Sequence, residues 1–187
     1  VTRDALPQAR EVVDAYVEAG CRAIFLRPMD PFGFASETAA AIGYPIEDFL
    51  TFYREALAYI VELNRQGVQI IERYAGILLT KILSERDPNY LDIRSPCGAG
   101  IGQLAYDQDG RIFTCDEGRM IFEMGREGDV GDETFALGRA GDGSYAERMQ
   151  HSTARAMVAS SVLAGVPGCE SCAYRPFCGI CPVHNYA

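Results

Sequence analysis

Cys21-Arg-Ala-Ile-Phe-Leu26 is a short apolar run without alternation, and its reading decides the class of the first half of the chain. A strand buried on both faces of a parallel sheet reads this way, because helices cover it above and below. Upstream, from Asp4, the sequence reads as a helix. Pro7 suits a first turn, Ala9, Val12, Val13, Tyr16 and Val17 recur at helical spacing, and Gly20 supplies the stop. Helix followed by buried strand is an α/β unit, in which Cys21 reads as a small core hydrophobe. Downstream, residues 27–45 carry Pro28, Pro31, Gly33, Gly43 and Pro45 and read as a long loop. Open α/β sheets place ligands at such strand ends, so Arg27 and Asp30 are candidate cofactor or substrate contacts. A loop ion pair or a turn is their plainer role. A second helix is expected from Ile46 to Gln66, with Phe49, Phe52, Tyr53, Ala56, Ile60 and Leu63 on one face and Gly67 closing it. Val68 to Ile71 suggests another short strand before an apolar helix around Tyr74 to Leu83, with Glu72 and Arg73 as a solvated helix start.

The 187 residues, 48% of them hydrophobic, are enough to bury a core without staples, so the 7 cysteines need another explanation. A formal charge of -9 argues against a nucleic-acid binder, which would have to neutralise phosphates with a basic face. No stretch approaches the roughly 20 apolar residues of a membrane span, and no leader pattern opens the chain. The expectation is a cytoplasmic protein. The start at Val1, directly before a helix signal, suggests a piece of something longer.

After Asp87 and Pro88 the texture changes to glycine-rich loops and short strands, which places a boundary near residue 92 and divides the chain into 1–92 and 93–187. Leu104 to Tyr106 and Arg111 to Cys115 flank Asp107-Gln-Asp-Gly110, a turn composition that reads as a β-hairpin with Gly110 in the left-handed position. A turn centred between Gln108 and Asp109 would set Cys115 opposite Gly102. Ser144 to Leu163 reads as a helical stretch with Tyr145, Met149, Ala156 and Val158 facing inward. Asp129, Asp132 and Glu133 form an acidic glycine-rich loop that lacks the ligand order of an EF-hand.

The terminal run Cys169-Glu-Ser-Cys172-Ala-Tyr-Arg-Pro-Phe-Cys178-Gly-Ile-Cys181 has the spacing Cys-x2-Cys-x5-Cys-x2-Cys. Such turns can aim two thiolates at one metal centre while backbone N–H groups offset their charge. Upstream, Cys97 and Cys115 enclose the hairpin, and Gly98, Gly100 and Gly102 allow close backbone approach there. Three explanations compete. Disulfides need an oxidising compartment and fit poorly with an odd count. A structural zinc site would satisfy four thiolates and describe a protein-binding module without redox activity. Iron-sulfur clusters account for six grouped cysteines that do not divide into whole zinc sites. Asp116, Glu117 and Arg119 follow Cys115 and could shape its surroundings or meet a substrate. His184 reads as a surface loop residue, and His151 as an ordinary helical one.

The second half resembles the SPASM domain, the cluster-binding extension of radical S-adenosylmethionine enzymes that modify peptides and proteins. Cys97, Gly110 and Cys115 match the first part of its signature, and Cys169, Cys172 and Cys178 the second. More narrowly, Cys97-Gly-Ala-Gly-Ile-Gly-Gln-Leu-Ala-Tyr106, Cys115-Asp-Glu-Gly-Arg-Met120 and Tyr174-Arg-Pro-Phe-Cys-Gly-Ile-Cys-Pro182 look like the radical maturase of the His-Xaa-Ser peptide system.

The resemblance implies two auxiliary [4Fe-4S] clusters, the first on Cys97, Cys115 and Cys181, the second on Cys169, Cys172 and Cys178 with a later cysteine. Two departures stand out: Cys178 and Cys181 are separated by two residues rather than three, and the chain ends at Ala187 before a last cysteine. The first half is similar to the end of a partial (β/α)6 barrel. The Cys-x3-Cys-x2-Cys motif for the catalytic cluster is absent from these residues, so the expectation is a fragment unable to cleave S-adenosylmethionine alone. The partner implied is a precursor peptide or protein, with His-Xaa-Ser repeats in the narrower reading. A companion radical enzyme and an electron donor fit the same scheme.

Overall fold

The first helix starts later than Asp4. In a computed structural model describing residues 1–84, 86–125 and 131–187, a 3-10 turn at Arg3–Ala5 comes first and α1 spans Ala9–Glu18. Pro7 therefore sits in the link ahead of the helix, where tight bonds such as Gln8 N–H to Ala5 O hold the chain. Ala9 and Val13 are buried, whereas Tyr16 is exposed. Gly20, at φ 76°, ends the helix in the left-handed conformation.

Strand β1 covers only Ala23–Ile24. Ile24 and Leu26 are buried while Ala23, Phe25 and Cys21 are exposed, so the run has one buried face rather than two. The reason is the size of the sheet: β1 pairs in parallel with one strand, β2 (Ile71–Glu72), with Ala23 opposite Ile71. One apolar cluster covers it, built from Ala9, Val13, Ile24, Leu26, Phe49 and Phe52 among others. Cys21 thus lies outside the core. No barrel closes among the described residues.

The segment 27–45 is not all loop, since α2 occupies Phe34–Ile42. Its alanines and Glu37 favour helix over the turns suggested by the flanking prolines and glycines. Helix α3 (Ile46–Arg65) follows, with Pro45 as N-cap and Glu47 and Asp48 in the first turn, and it buries Phe49, Phe52, Ala56, Ile60 and Leu63. Strand β2 begins only at Ile71 and runs straight into α4 (Arg73–Leu83).

The chain divides into two compact units, Val1–Arg86 and Asp87–Ala187. The division falls ahead of residue 92 because the 3-10 turn Leu91–Ile93 packs within the second unit. The Leu91 side chain fills the space in which a Cβ on Gly98 would meet Cδ2 at 2.4 Å.

In the second unit β3 (Ala105–Tyr106), β4 (Arg111–Phe113) and β5 (Ala136–Arg139) form an antiparallel sheet in that order. Ala105 stands opposite Phe113, which centres the turn on Asp109 rather than between Gln108 and Asp109. Asp107 N–H bonds to Arg111 O, and Gly110, at φ 83°, closes a three-residue loop. The register is therefore one residue away from the expected pairing of Cys115 with Gly102.

Helix α5 (Asp116–Met124) follows β4 directly. The stretch after Ser144 is two helices, α6 (Tyr145–Met149) and α7 (Ser152–Ser161), because His151 caps α7 through Nδ1, which accepts the Thr153 N–H at 3.3 Å. Their buried positions are Arg148, Ala154, Met157 and Ser161, while Tyr145 and Ala156 are exposed and Met149 and Val158 are half-buried. The Arg148 guanidinium is satisfied by the carbonyls of Leu137 and Arg139 on β5. Helix α8 (Pro182–Tyr186) ends the chain. Among the described residues no helix is long and apolar enough to cross a membrane.

Candidate metal centre

Cys115 leaves β4 and caps α5, and it is 3% exposed. Its Sγ accepts the Gly118 N–H at 3.4 Å, an approach that needs glycine because a Cβ there would meet Phe135 Cβ at 2.7 Å. Burial pushes the Cys115 thiol up to about 12, with the Glu117 carboxylate adding to the rise and the Gly118 N–H opposing it.

The segment that carries Cys97 is tied to the same end of the hairpin. Gly100 N–H donates to Thr114 O at 2.7 Å, Gly102 N–H donates to Gly98 O, and Ala99 bridges Gln103. Cys97 itself is half-buried, and its N–H donates to Ser161 Oγ at 3.0 Å, which anchors it to the end of α7. Burial raises its thiol, as do the charges of Asp92 and Glu117, while the Ala99 N–H and Arg94 act against them.

Cys181 arrives from the other direction. Gly179 presses on the backbone ahead of Cys97 so closely that a Cβ would meet Asp92 O at 2.5 Å and Ile93 Cα at 2.8 Å. This contact brings the half-buried Cys181 into the field of Cys97 and Glu117, both of which raise its thiol after burial has done so. The N–H groups of His184 and Val183 lower it. The charge of Glu117 thus raises the thiols of Cys97, Cys115 and Cys181, and Cys97 also acts on Cys181.

Cys169, Cys172 and Cys178 lie on successive turns, with Cys172 N–H to Cys169 O, Arg175 N–H to Cys172 O and Cys178 N–H to Arg175 O. Cys172 and Cys178 are exposed and Cys169 is half-buried. All seven cysteines are free thiols. Among the described residues no three His, Cys, Asp or Glu side chains meet closely enough to hold one metal ion. That bears on a single ion, whose ligands converge on a point; thiolates on different irons of a cluster stand farther apart.

The remaining polar candidates have other partners. Asp30 Oδ1 accepts the Phe32 N–H at 3.1 Å and braces a turn. The Arg27 guanidinium lies 5.5 Å from the Phe25 ring centre. Asp132 accepts from Thr134 N–H and Tyr186 Oη, and Glu133 pairs with Arg111 at 3.2 Å, so these two carboxylates serve separate partners. Asp129 lies outside the described residues. His184 is exposed on α8 rather than in a loop, Asp116 is exposed, and Arg119 is half-buried on α5.

Glu72 corrects the expectation of a solvated helix start. It is 3% exposed, accepts from Leu26 N–H, Tyr53 Oη and Ala75 N–H, and caps α4. An acidic residue just before an apolar helix is an N-cap signal, but nothing local reveals its burial. A cavity of about 340 Å³ in the second unit was equally invisible; it is lined by Phe135, Ala156, Met157, Pro182, Tyr186 and hydroxyl-bearing neighbours such as Ser160.

The fold matches part of a radical S-adenosylmethionine enzyme. A similar solved structure is native anSMEcpe, an anaerobic sulfatase-maturating enzyme of the radical SAM/SPASM class, with bound AdoMet and Kp18Cys peptide. The TM-score is 0.60 at 17% identity, over 98% of this chain and 46% of that one, so the chain spans about half the length of the solved protein. No family profile and no curated protein matches the sequence.

Proposed function

We propose that this chain is the carboxyl-terminal part of a radical S-adenosylmethionine enzyme that modifies a ribosomally made peptide or protein, with a maturase of the His-Xaa-Ser type as the narrower form. In this reading the first unit is the end of a partial barrel and the second a cytoplasmic SPASM domain. Cys97, Cys115 and Cys181 hold one auxiliary [4Fe-4S] cluster, and Cys169, Cys172 and Cys178 serve another. The observation that carries it is that the segments bearing Cys97, Cys115 and Cys181 are in contact, through Gly100 N–H on Thr114 O and Gly179 against Asp92 and Ile93, in a fold shared with an enzyme solved with AdoMet and a peptide.

The residues fit such a group. The Cys115 thiol is buried and those of Cys97 and Cys181 are half-buried, and burial raises all three, so that a bound cationic centre would favour the thiolates that the protein alone does not. Cys97, Cys115 and Cys181 would hold the cluster as thiolates, each having released its proton to solvent. When bound, such clusters supply electron acceptance or relay. The chain's own part is to fix the sulfurs: Gly118 N–H on Cys115, Ser161 behind Cys97 and the Gly179 contact behind Cys181. Arg27 and Asp30 stand at the carboxyl end of β1, the side on which such barrels meet cofactor and substrate.

Anaerobic reconstitution with iron and sulfide tests the reading. Broad iron-sulfur absorbance is expected, and replacing Cys97 and Cys115 by alanine should roughly halve the iron, as two clusters of equal size require. Zinc in place of iron, with metal content unmoved by those two replacements, would establish the zinc-stabilised module instead.

A further inference from the structure

The cavity of about 340 Å³ in the second unit is lined by residues of α7, α8 and the 3-10 turn Glu133–Phe135. Phe135, Met157 and Pro182 are buried while Ala156 and Tyr186 are exposed, so the lining runs from core to surface. An apolar cavity of about 150 Å³ takes a benzene ring, and sites for small molecules begin at about 300 Å³. The space here therefore accepts a group of one or two rings. The Tyr186 ring stands edge-on to Phe135, with 5.2 Å between centres and 87° between planes, and Met157 adds a polarisable thioether. Both suit contact with a further ring.

The hydroxyls of the lining set the polarity of that ring. Tyr186 Oη donates to Asp132 Oδ2 at 2.8 Å, so the 3.2 Å contact between Thr134 Oγ1 and Tyr186 Oη has Thr134 as its donor. Thr153 Oγ1 donates to Thr134 O at 3.1 Å, and Ser160 Oγ donates to Ala156 O at 2.8 Å. These hydroxyl protons are all spent inside the protein, while the oxygens keep lone pairs with which to accept. No charged side chain lines the cavity among the described residues, and the charge tied into this network is the Asp132 carboxylate. Such a lining favours a neutral ring that carries an N–H or O–H donor. An anion would meet acceptors and a negative charge instead.

We propose that this cavity seats a neutral aromatic side chain with a hydrogen-bond donor, tyrosine or tryptophan, of the peptide on which the enzyme acts. The proposal rests on reading the chain as part of a peptide-modifying enzyme. Two connections join the seat to the candidate metal centre. Pro182 on its wall follows Cys181, and Met157 O accepts from Ser161 Oγ, which itself accepts the Cys97 N–H. A side chain seated here touches both the helix that anchors Cys97 and the helix that follows Cys181.

The chain contains no tryptophan, so N-acetyltryptophanamide reports its own surroundings by fluorescence. Adding the full chain should shift its emission to the blue and saturate. N-acetyltyrosinamide should displace it, N-acetylphenylalaninamide should do so roughly 2–10-fold more weakly, as the loss of one neutral hydrogen bond requires, and the anion 3-(4-hydroxyphenyl)propionate should not displace it. Ala156 is exposed, so Ala156→Phe fills the space from the surface and should abolish the shift, while Ala146→Phe, at an exposed position of α6, should keep it. Circular dichroism melting checks folding, and Ser160→Phe on the same wall gives the reading if Ala156→Phe is unfolded. Absence of a saturable shift, or a shift that a folded filling variant leaves intact, overturns the seat while the cluster reading, tested by iron loading, stands. Equal displacement by the tyrosine and phenylalanine amides overturns the donor requirement. A chain that binds the probe but loads no iron-sulfur centre overturns the assignment of the occupant to an enzyme substrate.

Discussion

The Tyr53 hydroxyl donates to Glu72 Oε2 at 2.5 Å, joining the middle of α3 to the residue that ends β2 and caps α4. The other Glu72 oxygen accepts the Leu26 N–H just beyond β1. One buried carboxylate therefore locks both strand ends and a helix start. Tyr53→Phe removes a hydrogen bond to a charged group and leaves the carboxylate short of a partner. A loss of about 1–3 kcal/mol in unfolding free energy is expected by denaturant titration. An unchanged midpoint would show that the pair does not brace the unit.

The same pair sets an alkaline limit. Burial, the hydrogen bond to Glu72 and the Glu72 charge raise the Tyr53 hydroxyl above its ordinary value of 10.0. A raised folded-state value means that the folded chain keeps this proton after the unfolded chain has lost it. The contribution is thus whole below pH 10 and falls as pH rises towards the folded-state value. Melting temperature followed upward from pH 9 should drop more steeply for the parent than for Tyr53→Phe. Parallel curves would remove Tyr53 as the cause.

Helical periodicity made α3 legible, since Phe49, Phe52, Ala56, Ile60 and Leu63 are buried on the face that the spacing marks. It failed at Cys21–Leu26, because an apolar run carries no sign of how many neighbours cover its faces. It failed again at α2, where prolines and glycines at both ends outweighed an alanine-rich interior. The cysteine spacing pointed to metal chemistry, yet the grouping of Cys181 with Cys97 depends on Gly179 seating against Asp92 and Ile93. Contacts made across such sequence distances have no local signature, and the burial of Glu72 is hidden for the same reason.

Ser161 is fully buried and works in two directions, accepting the Cys97 N–H at 3.0 Å and donating to Met157 O at 2.6 Å. Ser161→Ala leaves the Cys97 N–H without this acceptor and should cost about 1–3 kcal/mol. Ser161→Thr keeps the oxygen but adds a methyl group to a packed position. Iron retention during chelator challenge should fall for Ser161→Ala if the bond positions Cys97. A stability loss with unchanged retention would limit Ser161 to the helix end.

Gly179 makes the sharpest demand on the backbone of the second unit. A Cβ there would lie 2.5 Å from Asp92 O and 2.8 Å from Ile93 Cα, and neither is the end of a flexible side chain that could move aside. Gly179→Ala must therefore push the Cys178–Cys181 loop away from the turn ahead of Cys97. Since these contacts seat the loop of the proposed ligand Cys181 rather than form the core, the unit should stay folded while iron affinity at the proposed first site falls roughly 10-fold or more. Gly165→Ala is the matched control, because nothing lies within 4 Å of its Cβ position. Both variants are read by iron content after limiting reconstitution and by circular dichroism. Equal iron in Gly179→Ala and Gly165→Ala would mean that Cys181 does not depend on this contact to reach Cys97 and Cys115.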